Sequence, residues 1–238
     1  MTAPTSLSDS SAGQAGHECA KAFSAGELEA LSASFESAPA SKIVRWAVET
    51  FGDDLCIAAS FQDAVLIDVA TKVKPDIEVV FIDTLDHFPE TYETVERVRA
   101  RYDLNLRIVR VPEPEVPFHV TDPIRCCSDA KVAALDEALA GKRAWLSGLR
   151  RVEADTRAGA PIVSLDRRGL VKVNPIATWS DLDVSGYVAT NDVPYNPLLD
   201  QGYLSIGCAP TTKPVEPGAD PRSGRWAGSE KTECGIHE

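Results

Sequence analysis

Between positions 55 and 111, short apolar runs alternate with helix-compatible stretches, and this alternation leaves the chain few architectures. Residues 55–59 are a short apolar run, 64–73 suit a helix, and 77–82 form a second apolar run rich in β-branched side chains. Pro89 opens a stretch to Tyr102 that reads as a helix, since a proline in the first turn removes an N–H that has no partner there anyway. Residues 104–111 then alternate apolar with polar as a third strand. Strands separated by helices cannot pair as hairpins, so they form parallel β-α-β units. The expected fold class is α/β: a single domain with a mostly parallel twisted sheet flanked by helices.

The flanking sequence extends this frame. Leu28, Leu31, Ile43, Trp46 and Phe51 recur at spacings that suit two amphipathic helices broken near Pro39. Further on, residues 130–139 read as a helix, 144–149 as a strand, and 162–173 as a hairpin turning at 166–169. Ser180, with Asp183 three positions later, reads as a helix N-cap launching a helix to about Thr190. After Pro194, proline and glycine are too frequent for long regular elements, and the tail is expected to wrap the surface and fold back over the site. This divides the chain into a mobile extension at 1–23, an α/β body at 24–200 and a tail at 201–238.

The chain has 238 residues, 44% of them hydrophobic, enough for one substantial core. No apolar run of about 18 residues occurs, and no basic segment precedes an apolar one at the N-terminus. Neither a membrane span nor a signal peptide is expected, and the cytoplasm is the expected location. The formal charge of −12 disfavours a nucleic-acid partner. Six cysteines in an intracellular chain of this size point to metal or redox chemistry rather than a disulfide framework. Cys19 and Cys56 read as bystanders, and nothing in the sequence sets the number of subunits.

Cys234 is the fifth residue counted from the C-terminal end, among charged and flexible neighbours. Reactive thiols are exposed and sit near groups that favour the thiolate, here Lys231 and His237, while Glu233 and Glu238 oppose them. It reads as a nucleophile on a movable arm. Upstream are the adjacent pair Cys126-Cys127 and a further thiol in Gly207-Cys208-Ala209-Pro210-Thr211. Neighbouring thiols cannot easily bridge each other, but they can bind different atoms of one cluster. Ser60-Phe61-Gln62-Asp63 follows the first strand and opens a helix, where backbone N–H groups can receive an anion. Gly148-Leu149-Arg150-Arg151, with Arg157 beyond, concentrates guanidinium groups after another strand, and their planar fork matches phosphate and sulfate oxygens. Lys213, Arg222 and Arg225 add charge in the tail, Trp226 is equally a core anchor, and His87 reads as a solvated loop histidine.

The cysteine order and the ending Glu233-Cys234-Gly235-Ile236-His237 resemble the assimilatory adenylyl-sulfate (APS) and phosphoadenylyl-sulfate (PAPS) reductases. The resemblance runs from about Leu55 to Glu238 and is most specific at 202–208, 220–226 and 231–237. It implies an adenine nucleotide alpha hydrolase-like fold in which Ser60, Gln62 and Asp63 belong to a modified pyrophosphatase-type loop. It also implies nucleotide contacts from Asp83 and Thr84, and phosphosulfate binding by Gly148, Arg150, Arg151, Arg157, Lys131, Arg222 and Arg225. In the cluster-bearing branch a Cys-Cys pair and a Cys-x-x-Cys hold a [4Fe-4S] centre, which implies Cys126, Cys127 and Cys208 as ligands. Thr211 stands at the fourth ligand position, and Ala130 replaces an arginine that precedes the family's lysine.

The activity so implied is reduction of adenylyl sulfate to sulfite and AMP through an S-sulfonate on Cys234, with thioredoxin or a similar dithiol as reductant. It calls for no flavin and no nicotinamide. Alternatives are the same chemistry on PAPS without a cluster, and a non-catalytic iron–sulfur or nucleotide sensor, which gives Cys234 no role. An ATP pyrophosphatase sharing the sheet would need a Ser-Gly-Gly loop that this chain lacks.

Overall fold

A computed structural model describes residues 23–112 and 128–226 together with Glu233. Cys19, Cys126, Cys127 and Cys234 lie outside the described residues, as does most of the expected N-terminal extension. The described strands form one six-stranded sheet: β1 (Leu55–Ala59), β2 (Glu78–Asp83), β3 (Leu106–Arg110), β4 (Ala144–Ser147), β5 (Val163–Leu165) and β6 (Val171–Val173). Their spatial order is β3-β2-β1-β4-β6-β5. All neighbours run parallel except the β5/β6 hairpin.

The helices are α1 (Ala25–Ser34), α2 (Ala40–Phe51), α3 (Val65–Thr71), α4 (Pro89–Tyr102), α5 (Ser128–Ala138) and α6 (Asp181–Asn191). Helix α1 opens on a reciprocal capping box between Ser24 and Glu27, and α6 on the same device between Ser180 and Asp183. Pro89 takes the first turn of α4, and Asp103 in the left-handed region ends that helix.

Crossover direction decides which face each helix covers. The chain steps from β1 to β2 to β3 through α3 and α4, then returns past β1 to β4 through α5. A right-handed crossover that reverses direction across the sheet must place its helix on the opposite face. The two apolar clusters obey this. Ile57, Phe81, Leu146 and Val173 face α1 to α4, whereas Cys56, Val80, Val109 and Trp145 face Ala134, Leu135 and Ala138 of α5. The three buried strand residues Cys56, Trp145 and Lys172 stand side by side in that second register.

On the first face, the buried Asp68 of α3 accepts hydrogen bonds from Tyr102 Oη of α4 at 3.1 Å and Tyr187 Oη of α6 at 2.6 Å, and pairs with Lys72. One carboxylate thus joins three helices. Among the described residues no helix is long and apolar enough to cross a membrane.

Candidate functional site

The point where the chain reverses lies between β1 and β4, and in parallel sheets such a switch point is where the loops at the carboxyl edge ordinarily leave room for a ligand. After β1, Phe61 adopts φ 57°, a left-handed conformation costing a non-glycine residue about 1–3 kcal/mol. Its ring is wholly buried and meets Phe81 edge-on at 5.3 Å, and burial of such a ring contributes about 2–3 kcal/mol, enough to hold the turn. The turn leaves Ser60 exposed at the strand end. Asp63 Oδ1 accepts from the Val65 N–H at 3.0 Å. Burial raises the Asp63 carboxyl above its ordinary pKa, against the Val65 hydrogen bond and the positive charge of Arg150. Gln62 ties the loop to the tail: its side-chain oxygen accepts from the Ile206 N–H at 2.9 Å.

The loop after β2 is built similarly. Leu85 has φ 64°, and the buried Asp83 carboxylate accepts from the Leu85 N–H at 2.9 Å, Tyr92 Oη at 2.8 Å and Arg110 Nε at 3.2 Å. Thr84 is 1% exposed, and its hydroxyl lies 3.3 Å from Cys208 Sγ. His87 is no solvated loop residue, contrary to the expectation from sequence. Its ring lies 4.9 Å from that of Phe81, its backbone bridges Cys208, and Nε2 lies 3.1 Å from the Ile82 carbonyl. A carbonyl only accepts, so Nε2 carries the proton. Burial lowers the His87 pKa; Cys208 opposes that shift, and Lys131 on α5, within electrostatic reach, adds to it.

The tail therefore returns to the sheet edge, as expected. Lys213 N–H donates to the Gly224 carbonyl at 2.9 Å and Trp226 N–H to Thr211 at 2.9 Å, closing a small antiparallel clasp. A Cβ at Gly207 would meet the Arg225 guanidinium, which packs directly against that glycine. Arg225 stacks over the Trp226 ring at 4.4 Å and Arg222 lies over it at 5.6 Å.

The arginines expected to gather around one anion have separate partners. Arg150, 9% exposed at its side chain, pairs with Asp181 at 2.7 Å and with Glu153. Arg151 turns away to Glu36, whose two oxygens it meets at 2.7 and 2.8 Å, and to the Ala160 carbonyl. That fork is filled by protein oxygens. Gly148 has open space where a Cβ would sit, so sterics do not require a glycine. Arg157 donates through Nη1 to Glu153 at 2.6 Å and through Nε and Nη2 to Glu233, both at 2.8 Å. Arg222 Nη2 reaches Glu233 at 3.1 Å and Thr156 Oγ1 does so at 3.0 Å. Beside this cluster lies a cavity of about 290 Å³ with Trp145, Arg157, Lys172 and Glu233 in its wall.

Sequence reasoning missed Glu153, Glu233 and Lys172. The available signal for the first two was charge balance, since buried arginines require carboxylates. Lys172 carried none, because it lies within a three-residue strand.

Cys56 is wholly buried, its thiol pushed up to about 12 by burial, which matches its reading as a bystander. Cys208 is 4% exposed. Thr211 hydroxyl is turned back onto the Cys208 carbonyl at 3.4 Å. Among the described residues no three His, Cys, Asp or Glu side chains form a metal-ligating group.

A mostly parallel sheet with this switch point, flanked by helices on both faces, defines an α/β fold of the adenine nucleotide alpha hydrolase-like kind. The sequence profile of the phosphoadenosine phosphosulfate reductase domain matches residues 55–214, and the chain belongs to that family. The adenosine 5'-phosphosulfate reductase of Streptomyces coelicolor is 48% identical over 225 residues, covering 89% of this chain and 95% of the relative. That of Mycolicibacterium smegmatis is 48% identical over 215 residues, covering 86% and 91%. A phosphate complex of phosphoadenylyl-sulfate (PAPS) reductase from Candida auris superposes with a TM-score of 0.68 at 31% identity, covering 80% of this chain and 98% of that one. FMN adenylyltransferase from Candida glabrata shares the fold alone, with a TM-score of 0.57 at 14% identity, covering 88% of this chain and 86% of that one.

Proposed function

We propose that the protein is an oxidoreductase that reduces adenylyl sulfate to sulfite and AMP in sulfate assimilation, with Cys234 as nucleophile. The observation that carries this is the docking of Glu233, the residue before Cys234, on arginines linked through Glu153 and Arg150 to the loops after β4 and β1. The relatives named above support APS as substrate.

Nucleotide binding falls to the loops carrying Ser60, Gln62, Asp63, Asp83 and Thr84 and to the Gly148–Arg150 turn. Lys131, Arg150, Arg151, Arg157, Arg222 and Arg225 offset the charge of the phosphosulfate so that an anionic thiolate can approach. The Cys234 thiolate attacks sulfur, the bond from sulfur to the bridging oxygen breaks, and AMP leaves with the electron pair. A dithiol such as thioredoxin then attacks the Cys234 sulfur and releases sulfite. Its second thiol resolves the mixed disulfide, so the dithiol supplies two electrons and Cys234 returns as thiolate. A reductant kept as dithiol places the reaction in the cytoplasm. Residues 24–200 serve as the body and 201–238 as the moving tail.

Cys126, Cys127 and Cys208 supply three thiolates, which suits a three-thiolate iron–sulfur site and not the usual four-thiolate [4Fe-4S] form, because a hydroxyl is a hard donor and that of Thr211 is engaged elsewhere. No step above depends on a cluster held by those three cysteines. PAPS is the second reading, favoured by the loss of the fourth cysteine and by the Candida auris structure.

Steady-state sulfite formation with each nucleotide tests the proposal. The expected result is higher kcat/KM with APS, and loss of sulfite with retained nucleotide binding in Cys234→Ser. Equal or greater efficiency with PAPS would overturn the substrate assignment, and an active serine variant would overturn the nucleophile.

A further inference from the structure

Asn196 has no part in the scheme above, yet it is wholly buried where three parts of the chain meet behind the loop that follows β1. Its N–H donates to the Gln62 carbonyl at 2.9 Å, and the Ala64 N–H donates to the Pro194 carbonyl at 3.0 Å. Between these two bonds Tyr195 and Asp63 form an antiparallel bridge. Residues 194–196 thus pair with residues 62–64 as a neighbouring strand would. The Asn196 side chain ties that pairing to the rest of the fold. Its Oδ1 accepts from the Leu198 N–H at 3.1 Å, opening the short helical turn Pro197–Gln201. Its Nδ2 donates to Thr91 Oγ1 of α4 at 3.0 Å, and Thr91 is itself 1% exposed.

A backbone N–H only donates, so the amide oxygen must face Leu198 and the amide nitrogen Thr91. Aspartate offers no donor toward Thr91, and leucine offers neither group, which accounts for an asparagine here. The loop has reason to need this backing. Phe61 holds a left-handed φ of 57°, a conformation that persists in a non-glycine residue only where the surroundings impose it. The Phe61 ring secures the turn from within the core, and the Asn196 segment secures the residues that come directly after it. Being wholly buried, Asn196 can act on a nucleotide only through that loop. We propose that Asn196, braced by Thr91, is a positioning residue for nucleotide binding, keeping the loop 60–63 in its binding conformation before the nucleotide arrives. The identity of the nucleotide rests on the reductase reading above. A loop that leaves this conformation binds with an affinity lowered by the fraction of time it is formed, and bound nucleotide restores it. The loss therefore falls on affinity and spares turnover.

The experiment uses the full chain and compares Thr91→Val, Thr91→Ser, Asn196→Ala and Ser32→Ala with wild type. Thr91→Val removes the acceptor at nearly constant volume, whereas Thr91→Ser keeps the hydroxyl. Ser32→Ala is the control for general destabilisation, because Ser32 Oγ on α1 accepts from the Ile162 and Val163 N–H groups at 2.8 and 3.3 Å and does not touch the loop. The Kd for AMP is measured by calorimetry, kcat and KM for APS by sulfite formation, and Tm by scanning calorimetry. Thr91→Val and Asn196→Ala are expected to raise Kd and KM together by roughly 3- to 10-fold, with kcat within about two-fold of wild type. Thr91→Ser should match wild type, and Ser32→Ala should lower Tm with Kd and KM unchanged. If Asn196→Ala does not fold, Thr91→Val decides alone. Unchanged Kd and KM in Thr91→Val would overturn the proposal, as would an equal rise of both in Ser32→Ala or a loss of kcat at constant KM. If wild type binds AMP but reduces neither APS nor PAPS, the reductase reading falls while the AMP affinities still decide the role of Asn196. Wild type that binds no AMP would overturn both.

Discussion

Lys172 shows how burial changes a single residue. It lies in β6 beside Trp145, with its ammonium 5.1 Å from the ring centroid. Burial, helped by the charge of Arg157 and opposed by Asp166 and Glu233, lowers its pKa from 10.5 to about 8. Between those values the unfolded chain binds the proton and the folded chain does not, so stability rises with pH across that window, by at most ~1.4 kcal/mol per pH unit. Denaturant titrations from pH 7 to 10 should show this rise in wild type and a flatter profile in Lys172→Met; parallel profiles would contradict it. Thr211 offers a second residue-scale test. Thr211→Cys restores a soft fourth donor, so anaerobically purified variant should retain more iron and sulfide after chelator treatment than wild type. No gain would contradict a site built on Cys126, Cys127 and Cys208.

At the scale of elements, Asp68 holds α3, α4 and α6 through two tyrosine hydroxyls. Asp68→Ala leaves both without their acceptor and should cost about 1–3 kcal/mol by urea unfolding, whereas a loss within ~0.5 kcal/mol would show that packing alone secures the helices. The helices and strands were largely legible in the sequence. Pro89 marked the start of α4, the Ser180 and Asp183 pair the start of α6, and the apolar runs at 55–59 and 77–82 strands β1 and β2, because these signals act within a few residues. Long-range pairings were not legible. Arg151 with Glu36, Arg150 with Asp181 and Arg157 with Glu233 are separated by 115, 31 and 76 positions, and no local pattern records them. His87 was misread for the same reason: its loop is closed by the tail at Cys208.

At the scale of the whole molecule, the sheet edge supplies loops for a nucleotide and the returning tail brings the residue before Cys234 to the same side. The arginines of the sequence motif hold the architecture together at Arg150 and Arg151 and receive the arm at Arg157 and Arg222. The central claim is covalent transfer of a sulfonate to the terminal thiol. Reduced protein mixed with APS, quenched without added dithiol and digested, should yield the C-terminal peptide carrying SO₃ on Cys234, removable by a dithiol with release of sulfite. An unmodified Cys234 peptide with both APS and PAPS would contradict the account.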